Sequence, residues 1–162
     1  MTKQEFQKLT EEGILLLDGA TGSNLYKAGM PRGVSTEQWI LEHPQVLKDL
    51  QRAYVRAGSR IVYAPTFAAN SISLKNFGLE KETERLNMEL FQVSREAVGH
   101  EALVAGDVTT TGKLLEPAGE LTYETLVHVY QEQIGVLARA GADLLVLETM
   151  MGLEETMAAL DA

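Results

Sequence analysis

The chain contains no cysteine among its 162 residues. It can therefore form no disulfide framework, and it offers neither a thiolate nucleophile nor a thiolate metal ligand. Its only histidines, His43, His100 and His128, fall in three separate predicted segments. The sequence thus has no local metal-binding motif, although residues that are distant in sequence can still converge in the fold.

Positive charge and long apolar runs are also scarce. The 14 Lys and Arg residues are outnumbered by 23 Asp and Glu residues, which gives a formal net charge of −9 without any basic cluster. Such a chain lacks the electrostatic footprint of a nucleic-acid or anionic-membrane binder. No apolar run approaches the roughly 18 residues of a membrane span, and the first residues do not resemble a signal peptide. We therefore expect a cytoplasmic protein that binds neither nucleic acid nor a membrane.

Short aliphatic segments recur along the chain, and a polar residue closes each of them. The segments are residues 14–17, 61–64, 102–105 and 142–147, and the closing positions are 18, 66, 107 and 148. Uninterrupted apolar runs of this length are typical of buried parallel strands. Helical patterns lie between or beside them at 2–12, 44–57, 82–98, 123–140 and 153–162, whereas 25–43 and 71–81 are expected to be irregular. A repeated βα unit of this kind predicts a (β/α) barrel or an open doubly wound sheet.

The first predicted strand is followed by Asp18-Gly19-Ala20-Thr21-Gly22. Small residues let backbone N–H groups approach a bound anion closely, and Asp18 offers a carboxylate to a cationic group. A zwitterion such as an amino acid would satisfy both. The alternative is that Asp18-Gly19 forms only a turn.

Polar residues at the other strand ends extend this candidate site. Because the carboxyl ends of parallel strands share one edge of the sheet, these side chains are expected to converge there. Asp107 could instead cap a turn, Thr149 could cap the last helix, and Asn70 could bind loop backbone. Asp18 and Glu148 are harder to explain structurally, since a carboxylate at the end of a buried strand needs a partner or a wet cavity.

Four ordered motifs resemble the homocysteine S-methyltransferase family, with the likeness closest to the homocysteine-binding module that begins cobalamin-dependent methionine synthase. The resemblance covers nearly the whole chain. The motifs are residues 17–22 (LDGATG), 64–70 (APTFAAN), 105–107 (AGD) with 111–117 (TGKLLEP), and 147–150 (LETM).

This resemblance implies a (β/α)8 TIM barrel whose members transfer a methyl group to the homocysteine thiolate and form methionine. It places the substrate amino group near Asp18 and Glu148, and the substrate carboxylate near the amides of Gly19 and Ala20. Family members bind the substrate sulfur to zinc held by three cysteines, and cobalamin on other domains is a possible methyl carrier. The expected substrate-binding set is Asp18, Gly19, Ala20, Thr66, Phe67, Asn70, Asp107, Glu148 and Thr149.

The sequence departs from the family pattern because the zinc-binding cysteines lie in the second half of the family's barrel. We therefore expect residues 1–162 to be the N-terminal part of one barrel domain, truncated after the fourth strand. By itself the chain is expected to bind no cofactor and to be inactive. Its expected partners are homocysteine and either the missing C-terminal half or a second copy of itself. The methyl donor is not indicated.

Other functions were weighed against this one. The chain could be a non-catalytic α/β module that binds an amino acid, or an inactive fragment. An acid-nucleophile phosphatase would need a second acid two residues from Asp18, and Leu16 and Ala20 occupy those positions. A dinucleotide-binding turn would need a third glycine after Gly19 and Gly22.

Overall fold

The computed structural model describes all of residues 1–162 and contains one three-stranded parallel sheet. Its strands are β1 (Ile61–Tyr63), β2 (Leu103–Val108) and β3 (Leu144–Leu147), in the spatial order β1-β2-β3. The helices are α1 (Lys3–Glu11), α2 (Gly22–Lys27), α3 (Thr36–Glu42), α4 (Pro44–Arg56), α5 (Ser71–Leu74), α6 (Thr83–Val98), α7 (Tyr123–Ala140) and α8 (Leu153–Asp161), with a 3₁₀ turn at Lys75–Phe77.

The sheet packs one face against helices and turns the other toward the candidate site. Val62, Val104 and Val108 belong to a buried cluster with Phe91 of α6 and Tyr130 of α7. Side chains alternate between the faces of a strand, so Ala105 and Asp107 point the other way. The register pairs Tyr63 with Ala105, Ala105 with Leu144, and Asp107 with Val146, which places these residues together on the second face.

A second buried cluster lies among the helices rather than on the sheet. It joins α2, α3, α4, α5 and α6 through Leu25, Met30, Trp39, Ile40, Leu47, Leu74, Leu86, Leu90 and Val93. This cluster fixes α3 against α4 and α6, which matters because α3 contributes residues to the cavity described below.

The predicted first strand, residues 14–17, is reduced to a single parallel bridge between Leu17 and Ile61. The Leu16 carbonyl accepts a hydrogen bond from the Arg60 amide at 2.8 Å, so the segment does run beside β1. The expectation that it is buried on both faces is wrong, since Ile14 is 89% exposed. The segment has a strand on one side only, and α1 buries none of its residues against it.

The long helices follow the predicted ones closely, whereas the short ones were missed. Helices α2, α3 and α5 fall in stretches that were expected to be irregular, and each has seven residues or fewer. Such helices are too short to show a helical apolar period. No helix is long and apolar enough to cross a membrane. The cytoplasmic location stays a prediction.

Gly106 of β2 gives a test of how tightly the sheet packs on α7. A Cβ atom at this position would lie 2.8 Å from Leu145 Cδ2 and 2.9 Å from Leu137 Cδ1. Because overpacking a core typically costs about 1–3 kcal/mol, we expect Gly106→Ala to lower the free energy of unfolding by that amount in urea titrations.

The matched control is Gly135→Ala in α7, where the added Cβ would meet only Arg139 Nη1, at 3.5 Å. This change should stabilise the chain by roughly 0.5–1 kcal/mol, because alanine favours a helix over glycine. Equal effects of the two substitutions would contradict the packing described for β2.

Candidate functional site

A cavity of about 600 Å³ lies at the carboxyl ends of the strands, between the sheet and the turn that precedes α2. Four acidic residues and no Lys, Arg or His line it. The lining residues are Asp18, Gly19, Ala20, Thr21, Gly22, Thr36, Glu37, Tyr63, Ala64, Pro65, Phe67, Ala68, Asp107 and Glu148. A cavity with such walls favours a cationic group.

Asp18 lies on one wall, where its Oδ2 atom accepts a hydrogen bond from the Tyr63 amide at 3.1 Å. Burial raises the pKa of Asp18 to about 6, and the charge of Glu148 adds to the effect, while hydrogen bonds from the backbone amides of Tyr63 and Asp18 itself oppose it. The carboxylate form is thus costly in the free protein, and a bound cation would stabilise it.

Asp107 lies within β2, which continues to Val108, rather than after the strand as the sequence predicts. It is only 5% exposed, and its Oδ1 atom has no hydrogen-bond partner. Burial raises the pKa of Asp107 to about 8, with further contributions from the negative charges of Glu148 and Asp18.

Thr66 fixes the backbone of Asp107 from the neighbouring strand end. The Thr66 hydroxyl donates to the Asp107 carbonyl at 2.9 Å, and the Asp107 amide donates to the Thr66 hydroxyl oxygen at 3.1 Å. Thr66 is fully buried. Its role is to hold Asp107 in register with the end of β1.

Tyr63 and Glu148 complete the acidic wall. Burial raises the pKa of the Tyr63 hydroxyl, and the charges of Glu148, Asp107 and Asp18, which line the same cavity, raise it further. The Glu148 amide donates to the Val108 carbonyl at 3.0 Å, and Thr109 Oγ1 donates to the Glu148 carbonyl at 2.8 Å. These two bonds therefore hold the backbone of Glu148 at the carboxyl ends of β2 and β3.

The turn of residues 19–21 lines the same cavity and carries unpaired donors, because the amides of Gly19, Ala20 and Thr21 donate to no protein acceptor. The Ala20 carbonyl is turned away, since it accepts from the Tyr54 hydroxyl at 2.9 Å and from Asn24 Nδ2 at 2.6 Å. Free consecutive amides form an anion-binding concavity.

Gly19 is required for this packing. A Cβ at Gly19 would lie 2.9 Å from Tyr54 Cε1, so a larger residue would displace the tyrosine that fixes the turn.

The structure brings six of the nine predicted site residues together: Asp18, Gly19, Ala20, Phe67, Asp107 and Glu148 all line the cavity. The other three lie outside its lining. Thr66 is buried beneath Asp107, and Asn70 caps α5 by accepting from the Ser73 amide at 2.9 Å. Thr149 is exposed with a positive φ of 54°, and α8 begins only at Leu153, so Thr149 does not cap it.

Sequence reasoning missed Glu37 and Tyr63 as cavity residues. Glu37 belongs to the short helix α3, is 6% exposed, and accepts from the Ser35 hydroxyl at 2.8 Å. Ser35 caps that helix. The only sequence feature that could indicate Glu37 is a serine followed closely by an acid, and many helices without a ligand site begin in this way. For Tyr63, the sequence indicates only a position in a buried strand.

A second cavity, of about 750 Å³, lies beside the loop after β2 and includes the buried Glu155. Burial disfavours the Glu155 carboxylate, yet hydrogen bonds from Thr110, Thr111 and Tyr130 lower its pKa overall. These partners lie at 2.5–3.1 Å and leave the acid well satisfied. Glu155 therefore ties the loop to α8, and the first cavity is the stronger candidate for a ligand site.

The model of the homocysteine S-methyltransferase family matches residues 15–162, which is nearly the whole chain. The chain belongs to the homocysteine S-methyltransferase family. Betaine–homocysteine S-methyltransferase 1 of Bos taurus is 29% identical over 162 residues, which cover 96% of this chain and 39% of the relative. The enzyme of the same name from Danio rerio is 29% identical over 153 residues, 92% of this chain and 38% of the relative.

The fold agrees with that family. The metallated form of the homocysteine methyltransferase MmuM from Escherichia coli superposes with a TM-score of 0.82 at 23% identity, over 96% of this chain and 61% of that one. This superposition confirms the predicted fold class, which is part of a (β/α)8 barrel. The chain spans about two fifths of the length of the curated relatives it matches.

The metal-binding chemistry expected of the family does not fit the side chains of this chain. No group of three His, Cys, Asp or Glu residues is placed to hold a metal ion, and no cysteine is present. His43 stacks on Trp39 with ring centroids 4.3 Å apart, and His128 lies near Gln131 on the surface of α7.

The raised pKa values of Asp18 and Asp107 predict how stability depends on pH. Between about pH 4, where an unfolded Asp titrates, and pH 8, the folded chain binds more protons than the unfolded chain. We therefore expect these two acids to make the free energy of unfolding fall as the pH rises through this window. Asp107→Asn should reduce that slope in urea titrations at several pH values.

Glu132→Gln is the control, since Glu132 is exposed on α7 and lies outside the cavity. It should leave the pH slope as in the unmodified chain. A slope that Asp107→Asn leaves unchanged would contradict the burial of an unpartnered acid at this position.

Proposed function

We propose that this chain is the substrate-binding half of a homocysteine S-methyltransferase, residues 1–162 being the N-terminal part of one barrel domain. It holds homocysteine in the cavity and contributes to methyl transfer onto the homocysteine thiolate, which forms methionine. The observation that carries the proposal is a single cavity lined both by four acidic residues and by a turn whose amides donate to no protein acceptor. A zwitterionic amino acid needs both.

The amino group binds at the acidic wall, against Asp18 and Glu148. An ammonium group there forms charge-assisted hydrogen bonds, which are among the stronger ones in proteins. It also offsets the mutual repulsion of acids that line the cavity without any basic residue. The predicted role of these two residues thus agrees with the electrostatics of the cavity.

The carboxylate of the ligand binds at the turn of residues 19–21. Because no Lys, Arg or His lines the cavity, the free amides of this turn and nearby hydroxyls are the donors available to an anion. Tyr54 and Asn24 hold the Ala20 carbonyl away from the ligand. The side chain of the ligand then extends along the apolar part of the lining, formed by Ala64, Pro65 and Phe67.

The contribution of this chain to the reaction is binding and orientation. The donor set of this chain does not fit the zinc that the family resemblance implies. Asp18, Glu148 and the turn amides would fix the two ends of the amino acid and so aim its thiol. A non-catalytic amino-acid-binding module would use the same contacts, and only a methyl-transfer assay separates it from a contributor to catalysis.

Calorimetric titration of the chain with L-homocysteine tests the site. We expect binding, and we expect Asp18→Asn and Glu148→Gln each to weaken it by about 1.5–3 kcal/mol, roughly 10- to 150-fold, because each removes a charge-assisted contact. Glu132→Gln, which removes an exposed acid far from the cavity, should leave the affinity unchanged.

Two results would count against the proposed site. One is an affinity for L-homocysteine that neither cavity substitution changes. The other is equal binding of a homocysteine analogue without the amino group, since that would show that the acidic wall does not recognise the ligand.

We also propose that the apolar surface at the two sides of the sheet is covered by a partner, either the rest of a barrel or a second copy of the chain. Leu16 and Leu17 beside β1 are about half exposed, while Leu153 and Leu160 of α8 are 75% and 66% exposed. Beyond β3 no further strand pairs. Open strand edges and contiguous apolar patches seek partners.

The chain by itself should therefore self-associate at micromolar concentration in light scattering. Leu153→Ser with Leu160→Ser should weaken this association, whereas Leu114→Ser, at a comparably exposed loop position, should not. A compact monomer with well-protected amides in hydrogen exchange would contradict the proposal.

A further inference from the structure

Asp107 is the one acid of the cavity whose environment leaves it unsatisfied. It is 5% exposed, lines the cavity, and carries an Oδ1 atom without a hydrogen-bond partner. Its backbone cannot swing away, since Thr66 binds both its amide and its carbonyl. An ionised carboxylate that is buried with an unpaired oxygen is costly.

The groups that face Asp107 make ionisation costlier still. Asp18 faces it from the segment beside β1, Tyr63 from β1 itself, and Glu148 from the end of β3. Glu37 of α3 lines the same cavity, and no Lys, Arg or His does. Every charged group around Asp107 is therefore an acid, and no cation of the chain compensates a charge on it.

We propose that Asp107 is the residue at which this cavity exchanges a proton for the cationic group of its ligand. In the free protein the Asp107 carboxyl is protonated. When the ammonium group of the ligand lies against the Asp107 carboxyl where it lines the cavity, the O–H bond breaks, the proton passes to solvent, and the carboxylate accepts a hydrogen bond from the ammonium group. At the acidic wall, one positive charge thus enters as another leaves.

The other acids are less suited to this exchange. Asp18 already accepts from the Tyr63 amide, and Glu37 already accepts from the Ser35 hydroxyl. Glu148 is only half buried. The inference rests on the proposed function, because it identifies which residue of the same site loses a proton when the ligand binds. It also makes Asp107 a specificity-determining residue for ligands that carry an ammonium group.

Proton release makes affinity depend on pH. The pKa of Asp107 in the free protein is about 8, so below that value binding must expel a proton. By linkage, affinity for the ligand should then rise by up to about tenfold for each pH unit and level off above pH 8. A site whose acids were already ionised would show no such rise.

The test is calorimetry of L-homocysteine binding at pH 6.5 in two buffers that differ in ionisation enthalpy, which counts the protons released. We expect about one proton for the unmodified chain and for Asp18→Asn, although the latter binds more weakly. For Asp107→Asn we expect only the small fraction of a proton that Asp18 releases, and an affinity that is flat above about pH 7. Binding without proton release in the unmodified chain, or unchanged release in Asp107→Asn, would overturn the proposal.

A ligand-free measurement keeps the two proposals separable. In carboxyl-carbon NMR of aspartate-labelled chain, one resonance should titrate near pH 8 and be missing in Asp107→Asn. Titration of every aspartate near its ordinary pKa would overturn the inference even if homocysteine binds. If homocysteine does not bind but ethylammonium binds with proton release, the proposed function fails and the role of Asp107 stands.

Discussion

The crowding of carboxyl groups at one end of a short parallel sheet governs this structure. Asp18 beside β1, Asp107 in β2 and Glu148 after β3 line one cavity with Tyr63, and no Lys, Arg or His lines it. Such an arrangement lowers the stability of the ligand-free protein, because buried like charges repel each other and are poorly solvated. It becomes favourable once a cationic group binds. The cost in the free state and the proposed affinity for an ammonium group thus have the same origin.

The surrounding structure keeps these acids and the amides of the turn in place. Thr66 bonds to the backbone of Asp107 across neighbouring strand ends, and Tyr54 bonds to the Ala20 carbonyl from α4. Gly19 lets the tyrosine ring approach the turn. The site is therefore assembled from backbone positions that the helices and the sheet fix, so few of its contacts depend on a flexible side chain.

The sequence predicted the repeated βα units well, because long helices such as α7 and buried strands such as β2 carry clear apolar patterns. It also predicted that Asp18, Asp107 and Glu148 share one edge, since parallel strands end together. It could not show that the side chains of Thr66 and Asn70 bind backbone groups inside the protein. A polar residue near a strand end gives the same sequence pattern whether it faces a ligand or the backbone. Glu37 was missed because a seven-residue helix has no readable period. The particular resemblance to methionine synthase and the use of cobalamin as a methyl carrier stay predictions.

The most direct measurement is a two-dimensional amide NMR titration of the labelled chain with L-homocysteine. We expect the largest shift changes at the amides of Gly19, Ala20 and Thr21, with smaller changes around Asp18, Asp107 and Glu148. Such a pattern would place the ligand carboxylate on the turn and its amine on the acidic wall. Changes confined to the second cavity, around residues 110–118, would contradict the assignment of the binding site.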